Sequence, residues 1–315
     1  LTLTIQAVPA QSGSLTYTGS TQSPTWKGYD SSMMTIGGVT SGINAGTYTA
    51  TFTPIGKYVW TDGTQEAKSV SWTIGRAEVK NVPAQTGSVT YNGSAQSPSW
   101  SNYNSSQLTI GGTSSATNAG SYSATFTPTS NYKWSDGTTT AKSVSWTIGR
   151  AEVKNVPAQT GSVTYNGSAQ SPSWSNYNSS QLTIGGTSSA TNAGSYSATF
   201  TPTSNYKWSD GTTTAKSASW TIGKATGSIT LSASSLSLTY PKTSGTITVT
   251  RPGSGTVTAS SGSTNIATVS VSGTTITVTA KATGSATITV NVGADTNYTA
   301  PSSKTFTVAV TLVSK

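Results

Sequence analysis

Short runs in which apolar and polar residues alternate with a period of two occur along the whole chain. In residues 77–150, for example, Tyr122, Ala124 and Phe126 alternate with small polar residues. This is the period of a strand with one face buried and one face in water. Because helical spacing with capping residues is not evident, the pattern predicts an all-β protein.

Turn-forming residues separate the runs. Pairs such as Asn92-Gly93 and Asp136-Gly137 lie between alternating segments, where Asn-Gly and Asp-Gly favour tight turns. We predict that Asp62-Gly63, Asp136-Gly137 and Asp210-Gly211 form hairpin turns, each leading into a returning strand. The spacing indicates about seven strands per domain, which is typical of a β-sandwich.

The runs belong to a repeat. Residues 77–150 recur as residues 151–224, with a period of 74 residues, and the copies differ only where Val144 becomes Ala218 and Arg150 becomes Lys224. A diverged copy precedes them in residues 1–76. An internal repeat of this kind defines the domain organisation before any other feature does.

Residues 225–315 do not continue this repeat, but they also alternate as strands. The predicted strands are Leu236–Tyr240, Gly245–Thr250, Thr256–Ala259, Ala267–Val271, Thr275–Ala280, Ala286–Val292 and Thr305–Leu312. The prediction is therefore four tandem Ig-like β-sandwich domains, at 1–76, 77–150, 151–224 and 225–315. We refer to the first three as modules 1 to 3 and to the last as the tail domain.

The connections between domains are short. One Gly and one basic residue separate the last strand of a module from the first strand of the next, without a Pro- or Ser-rich linker. At about 3.3 Å per strand residue, four domains in line would give an elongated rod of roughly 120–160 Å.

Composition excludes many kinds of chemistry. The chain has no Cys and no His, and 8% of its residues are charged, so thiol and histidine catalysis and His-based metal sites lack their side chains. Nine Trp and 14 Tyr argue for a folded chain with aromatic cores, although hydrophobic residues make up 33%. We predict a non-enzymatic protein without a cofactor.

The net charge of +9 comes from 17 basic and 8 acidic residues spread along the chain. Nucleic-acid binding would favour a concentrated basic stripe, so no nucleic-acid partner is predicted. No apolar run reaches the roughly 20 residues that cross a bilayer, so no membrane insertion is predicted within this segment. We interpret the chain as part of a longer polypeptide or a larger assembly.

Two motifs carry a family resemblance. The module sequence YNGSAQSPSW, followed by GTSSATNAGSYSATFTPTSNYKW, resembles bacterial immunoglobulin-like repeats of the MBG/YDG type. The tail sequence IATVSVSGTTITVTAKATGSATITV resembles bacterial Ig-like domain group 2. The resemblance implies an extracellular stalk or spacer of a bacterial surface protein that displays an adhesive tip, or a phage tail or virion protein.

An adhesive role is the alternative. Trp100 and Tyr103, with their counterparts Trp174 and Tyr177, lie among Ser and Asn residues and could stack against surface glycans. Host or cell-surface proteins are further possible partners. The competing interpretation is that these Trp residues, like Trp134 and Trp146, fill a thin sandwich core.

Acidic residues are too sparse for a catalytic or metal site. Module 2 has only Glu78 and Asp136, so neither a glycosidase pair nor a calcium cage is predicted. A Lys-Asn isopeptide crosslink would use Lys80 and Glu78, but the last strand, 142–148, contains no Asn or Asp. No catalytic, cofactor-binding or metal-ligating residue is predicted.

Overall fold

The computed structural model describes residues 1–241 and 243–314, and every regular element within those ranges is a β-strand. The chain divides into two compact units, Leu1–Ala151 and Glu152–Lys315. The first unit holds modules 1 and 2, and the second holds module 3 and the tail domain. No helix in the described part of the chain is long and apolar enough to cross a membrane.

Module 1 contains eight strands. They are β1 (Leu3–Ile5), β2 (Ala10–Ser12), β3 (Leu15–Thr16), β4 (Thr25–Lys27), β5 (Met34–Gly38), β6 (Gly46–Pro54), β7 (Tyr58–Trp60) and β8 (Lys68–Gly75). The main sheet has the order β3-β8-β6-β5. In this sheet β8 is antiparallel to β6, but β3 is parallel to β8. Two small pairs, β1 with β7 and β2 with β4, complete the module.

Module 2 repeats this arrangement. Its strands are β9 (Ala77–Val79), β10 (Ala84–Thr86), β11 (Val89–Thr90), β12 (Ser99–Ser101), β13 (Leu108–Gly112), β14 (Gly120–Pro128), β15 (Tyr132–Trp134) and β16 (Lys142–Gly149). Its main sheet has the order β11-β16-β14-β13, again with an early strand, β11, parallel to the last strand, β16.

Module 3 follows the same plan. Its strands are β17 (Ala151–Val153), β18 (Ala158–Thr160), β19 (Val163–Thr164), β20 (Ser173–Ser175), β21 (Leu182–Gly186), β22 (Gly194–Pro202), β23 (Tyr206–Trp208) and β24 (Lys216–Gly223). Its main sheet has the order β19-β24-β22-β21.

Two tryptophans anchor the core of each module. In module 1, Trp60 and Trp72 are 1% exposed, and each indole N–H donates to a loop carbonyl: Trp60 to Glu66 at 2.8 Å and Trp72 to Val39 at 2.7 Å. A buried indole therefore fills the core and also fastens a loop to it. Modules 2 and 3 repeat these bonds, which confirms the prediction that Trp134 and Trp146 are core residues.

The tail domain reaches a similar architecture from a different sequence. Its strands are β25 (Thr230–Leu231), β26 (Ser235–Tyr240), β27 (Ser244–Thr250), β28 (Val257–Ser261), β29 (Ala267–Ser272), β30 (Thr275–Ala280), β31 (Gly284–Val292) and β32 (Lys304–Leu312). They form two four-stranded sheets with the orders β25-β27-β30-β29 and β26-β32-β31-β28. If β25 and β26 are counted as two parts of one first strand, the domain has seven strands. The first, second, fifth and fourth strands then form one sheet and the third, sixth and seventh form the other, which β26 joins; this is the immunoglobulin-like arrangement.

These sheets confirm the predicted class: the chain is all-β, with sandwich-like sheets repeated in tandem. Four separate clusters of buried side chains lie within residues 5–74, 79–148, 153–222 and 229–310. The seven predicted tail strands are all present, and the structure adds the short β25. Each module has eight strands where about seven were predicted, and five of the eight have only two or three residues.

The hairpin prediction at the Asp-Gly pairs is confirmed for the turn itself but was wrong for the strands beside it, which do not pair with each other. Asp136-Gly137 does form a tight turn, in which the Gly137 N–H donates to the Trp134 carbonyl at 2.9 Å. However, β15 pairs in parallel with β9, whereas β16 pairs with β14 and β11. The turn therefore carries the chain from one sheet to another. The turns at Asp62-Gly63 and Asp210-Gly211 occupy the same place in modules 1 and 3.

Candidate functional site

The predicted glycan-stacking aromatics lie at the rim of the core. Trp100 and Tyr103 are half-buried, and both pack against Phe126, with ring centroids 5.0 Å and 5.5 Å away. The Trp100 ring meets Phe126 edge to face, at 81°. Trp174 and Tyr177 contact Phe200 in the same way. Each of these rings therefore packs in part against a core phenylalanine.

Tyr103, but not Trp100, borders an open polar recess of about 270 Å³. The recess is lined by Val79, Lys80, Asn81, Asn102, Tyr103, Asn104 and Gln107. Asn102 has a φ of 57°, a left-handed conformation that Asn adopts more readily than most residues. Module 3 carries a matching recess of about 280 Å³ beside Tyr177. Module 1 differs at five of the polar positions: it has Gln6, Ala7, Gly28, Asp30 and Met33 where module 2 has Lys80, Asn81, Asn102, Asn104 and Gln107.

Each Asp-Gly turn is braced by a lysine. Asp136 accepts hydrogen bonds from the Thr138 backbone N–H and hydroxyl and from Lys142 Nζ, at 2.9, 2.6 and 2.7 Å. Lys142 Nζ also lies 5.1 Å from the centre of the Trp134 ring, within range of a cation–π contact. The hydrogen bond from Lys142, followed by those from Thr138, holds the pKa of Asp136 far below its usual range. The same groups lower the pKa of Asp62 and Asp210.

The remaining acids are not gathered into a site. Glu78 lies 4.0 Å from Lys133, as an exposed ion pair, and Glu152 pairs with Lys207 at 3.8 Å. Within residues 1–241 and 243–314, no group of three or more acidic residues could hold a metal ion. Glu78 and Glu152 each pair with a lysine of their own module.

The joint between modules 1 and 2 is a more organised site. The Asn131 side chain spans the two modules: its Oδ1 accepts from the Ala45 backbone N–H at 2.8 Å, and its Nδ2 donates to Asn44 Oδ1 at 3.0 Å. Beside it, Tyr132 meets Tyr17 edge to face, with centroids 5.5 Å apart. One carboxamide and one aromatic ring therefore fasten module 2 to module 1.

A basic residue completes this joint. Arg76, at the end of module 1, donates through Nε to the Ser130 carbonyl at 3.0 Å. The Ala77 N–H, at the start of module 2, donates to the Asn131 carbonyl at 2.9 Å. These bonds tie the connection itself to the loop that carries Asn131.

The joint between module 3 and the tail domain uses the same groups. Asn297 Oδ1 accepts from the Ala193 N–H at 2.8 Å, and its Nδ2 donates to Asn192 Oδ1 at 3.2 Å. Tyr298 meets Tyr165 edge to face at 5.5 Å. Lys224 Nζ donates to the backbone carbonyl of the loop, here that of Asp295. The Ala225 N–H donates to the Asn297 carbonyl at 2.9 Å.

In the tail domain an aspartate shapes that loop. Asp295 Oδ1 accepts from the Asn297 and Tyr298 N–H groups at 2.8 and 2.7 Å, and Oδ2 accepts from the Ser254 N–H at 2.6 Å. The hydrogen bond from Ser254, followed by those from Tyr298 and Asn297, lowers the pKa of Asp295 to about 2. The carboxylate thus holds Asn297 and Tyr298 in the orientation that the joint needs.

These joints were not predicted from the sequence. A signal was present, because Arg76-Ala77 and Lys224-Ala225 each precede a domain that contains an Asn-Tyr pair, although the two domains otherwise differ. Alternation with a period of two describes the faces of a single sheet, so it cannot show a hydrogen bond to another domain.

Comparison with solved structures finds tandem β-domain proteins. The crystal structure of S-layer protein SbsC domains 4 and 5 is 21% identical over 36% of this chain and 65% of that one, with a TM-score of 0.23. SbsC domains 1–6 are 16% identical over 87% of this chain and 46% of that one, with a TM-score of 0.29. Drosophila N-cadherin EC1-4 is 11% identical over 86% and 84%, with a TM-score of 0.27.

The chain spans less than two thirds of either S-layer structure. Because every one of these TM-scores lies well below 0.5, the likeness transfers no activity, ligand or partner to this chain. No protein-family profile and no curated protein sequence matches it. The MBG/YDG and group 2 assignments therefore stay predictions.

Proposed function

We propose that this chain is a load-bearing spacer in an extracellular bacterial surface protein. The observation that carries the proposal is the parallel pairing of an early strand with the last strand in each domain. In the tail domain β26 runs parallel to β32 over six residue pairs, from Ser235 opposite Thr307 to Tyr240 opposite Leu312. In module 1, β3 runs parallel to β8 over two pairs.

Parallel pairing determines how a domain resists tension. When a chain is pulled from its two ends, an early strand and the last strand that run parallel are drawn past each other along their length. The hydrogen bonds between them lie across the direction of pull and are loaded together rather than one at a time. A domain closed in this way resists extension better than one whose terminal strands can be peeled apart.

The other properties of the chain agree with a spacer. Strand faces are rich in hydroxyl groups, charges are few, and each domain has its own buried core, as a spacer requires. Within each unit, neighbouring domains are fastened by side-chain hydrogen bonds at the joint. The same mechanics would suit a phage virion appendage, and immunogold labelling of cells and of purified virions separates the two locations.

Single-molecule force spectroscopy on the full chain tests the proposal. β26 lies at the edge of its sheet and pairs there only with β32. The Thr307 N–H donates to the Ser234 carbonyl, and the Val313 N–H donates to the Tyr240 carbonyl. The even-numbered residues of β26 therefore direct their backbone N–H and C=O groups toward β32. Leu236→Pro removes one such N–H, and Leu236→Ala is the matched control for loss of the side chain.

We expect Leu236→Pro to lower the unfolding force of the tail domain clearly more than Leu236→Ala does. Equal effects of the two variants would show that the parallel pair does not carry the load, and the spacer proposal would lose its main support.

A glycan-binding role is the second candidate, favoured by the polar recess that modules 2 and 3 share. Its wall offers carboxamide donors and acceptors next to Tyr103, a combination that suits sugar hydroxyls. Two copies on one chain would also raise the avidity for a surface that carries many glycans.

Module 1 supplies a variant that tests this role while keeping the fold. Lys80→Gln, Asn81→Ala and Gln107→Met give module 2 the residues that module 1 has at these positions, and the same three changes apply to module 3. If the recess binds glycans, a glycan array shows binding by the native chain that this variant loses. Binding that survives the variant, or a silent array, removes the recess from consideration.

A further inference from the structure

The two joints described above share a chemical recognition element although the domains that use it are unrelated in sequence. We define the socket as Asn44-Ala45 in module 1 and Asn192-Ala193 in module 3, and the tip as Asn131-Tyr132 in module 2 and Asn297-Tyr298 in the tail domain. Both tips place the carboxamide on the socket with the same pair of hydrogen bonds.

The frameworks behind the tips differ. In module 2 the tip follows Thr129-Ser130, and the Tyr132 N–H donates to the Thr129 carbonyl at 2.9 Å. In the tail domain the tip is held by the Asp295 carboxylate. Because two different loops deliver the same two side chains to the same two residues, the socket recognises the tip and not the domain behind it.

The socket needs a group that both accepts and donates. Asn131 Oδ1 receives the Ala45 N–H while Nδ2 supplies a proton to Asn44 Oδ1. A carboxamide can do both, whereas an ammonium has only donors. Module 1 carries Lys57 at the position of Asn131, so its own loop ends in Lys57-Tyr58 and lacks the acceptor.

We propose that the socket is a docking surface whose partner is any following β-sandwich domain that begins with Ala after a basic residue and presents an Asn-Tyr tip. Such a surface lets domains of different sequence be exchanged along the chain without a change in the module that receives them. Module 1 carries the socket but no matching tip. This inference concerns which domains can dock on the socket, and it does not depend on the load-bearing role.

Hydrogen exchange of the Ala45 amide in the full chain tests the proposal. Peptides around Ala45 are unique to module 1, so mass spectrometry can follow them despite the near-identity of modules 2 and 3. The variants are Asn131→Ala and Asn131→Lys, which introduces the residue of module 1. Asn81→Ala, on another loop of module 2, is the matched control.

We expect both Asn131 variants to raise the exchange rate of the Ala45 amide about fivefold or more, the factor that loss of one typical hydrogen bond gives. Asn81→Ala should leave the rate unchanged. Unchanged Ala45 exchange in both Asn131 variants would overturn the proposal. Peptides that contain the substituted residue 131 differ in mass from their module 3 copies, so native-like protection of those peptides shows that module 2 is still folded.

The tail domain provides the second arm of the test. Asn297→Lys should expose the Ala193 amide to the same extent, as followed by nuclear magnetic resonance of the full chain, even though the loop behind Asn297 is built differently. An effect at Ala45 without one at Ala193 would show that the docking is particular to module 2, which contradicts the proposed generality.

Discussion

At the scale of single residues, the buried indoles do more than fill space. Trp72 is 1% exposed and its N–H is bonded to the Val39 carbonyl, whereas Trp26 is half-buried at the rim and packs against Phe52. The two residues therefore offer a comparison inside one module.

Trp72→Phe should lower the free energy of unfolding of module 1 by about 1–3 kcal/mol, because the Val39 carbonyl loses its donor and the smaller ring leaves unfilled space in the core. Trp26→Phe, the control, should cost less than about 1 kcal/mol because this ring has a solvent-exposed part. Urea-dependent hydrogen exchange of peptides unique to module 1 measures both. Equal costs would mean that the Trp72 hydrogen bond contributes little.

The aspartates give the protein a defined response to acid. Asp62, Asp136, Asp210 and Asp295 all have a pKa below the unfolded value of about 3.9. When a folded pKa is depressed, the carboxylate's stabilisation is complete above the unfolded pKa and is lost as the pH falls through the folded pKa.

We therefore expect full stability near neutral pH and a decline that starts below about pH 4. A ¹³C titration of the side-chain carboxyl groups checks this directly, since the chain has only eight acidic residues. Asp295 should titrate near pH 2, with the other three lower still. A midpoint near 3.9 for Asp136 would show that the bond from Lys142 is absent in solution.

The sequence predicted some features of single residues and not others. It placed Trp134 and Trp146 in the core because they alternate with other apolar residues along strands. It did not foresee that only Tyr103 of the two rim aromatics borders a recess, since the recess is shaped by Asn81 and Gln107, which lie on separate loops. Residues brought together by the fold alone leave no local pattern.

At the scale of elements, the Asp-Gly turn shows the limit of local signals. The signal at Asp136-Gly137 correctly identified a tight turn, but the turn joins β15 and β16, which pair with different partners. Turn chemistry fixes the local direction of the chain, whereas strand pairing depends on which apolar faces meet across the core. In the modules and in the tail domain alike, an early strand lies at the edge of a four-stranded sheet beside the last strand, although the sequences differ.

The turn glycine permits a precise test of local backbone strain. Gly63 has a φ of 79° and open space around the position of a Cβ, so Gly63→Ala should cost about 1–2 kcal/mol through conformation alone. Gly46 also has open space but no positive φ, so Gly46→Ala should be close to neutral. Pulse proteolysis in urea, read on module 1 peptides, gives both values. A neutral Gly63→Ala would mean that the turn relaxes to another type.

At the scale of the whole molecule, the repeat of 74 residues predicted the succession of similar sheets, and the alternation in residues 225–315 predicted a further set. The predicted boundaries at 76, 150 and 224 remain predictions, as does the elongated rod. What the sequence could not supply is the length of the parallel pairs. That length depends on register between strands that are far apart in the sequence, for example Leu15 opposite Ile74 and Leu236 opposite Val308.

If the parallel pairs carry the tension on each domain, the number of pairs should set the order in which the domains unfold under force. The tail domain has six parallel pairs between β26 and β32, against two between β3 and β8. At about 3.4 Å per residue, a module releases roughly 25 nm and the tail domain roughly 30 nm of extended chain, before the folded length is subtracted. The steps can therefore be told apart.

When the full chain is pulled from its ends at constant speed, we expect the shorter steps of the modules to come first and the longer step of the tail domain to come last, at the highest force. If the tail domain unfolds before the modules, or the whole chain extends without discrete steps, the number of parallel pairs does not set mechanical strength and the load-bearing account is wrong.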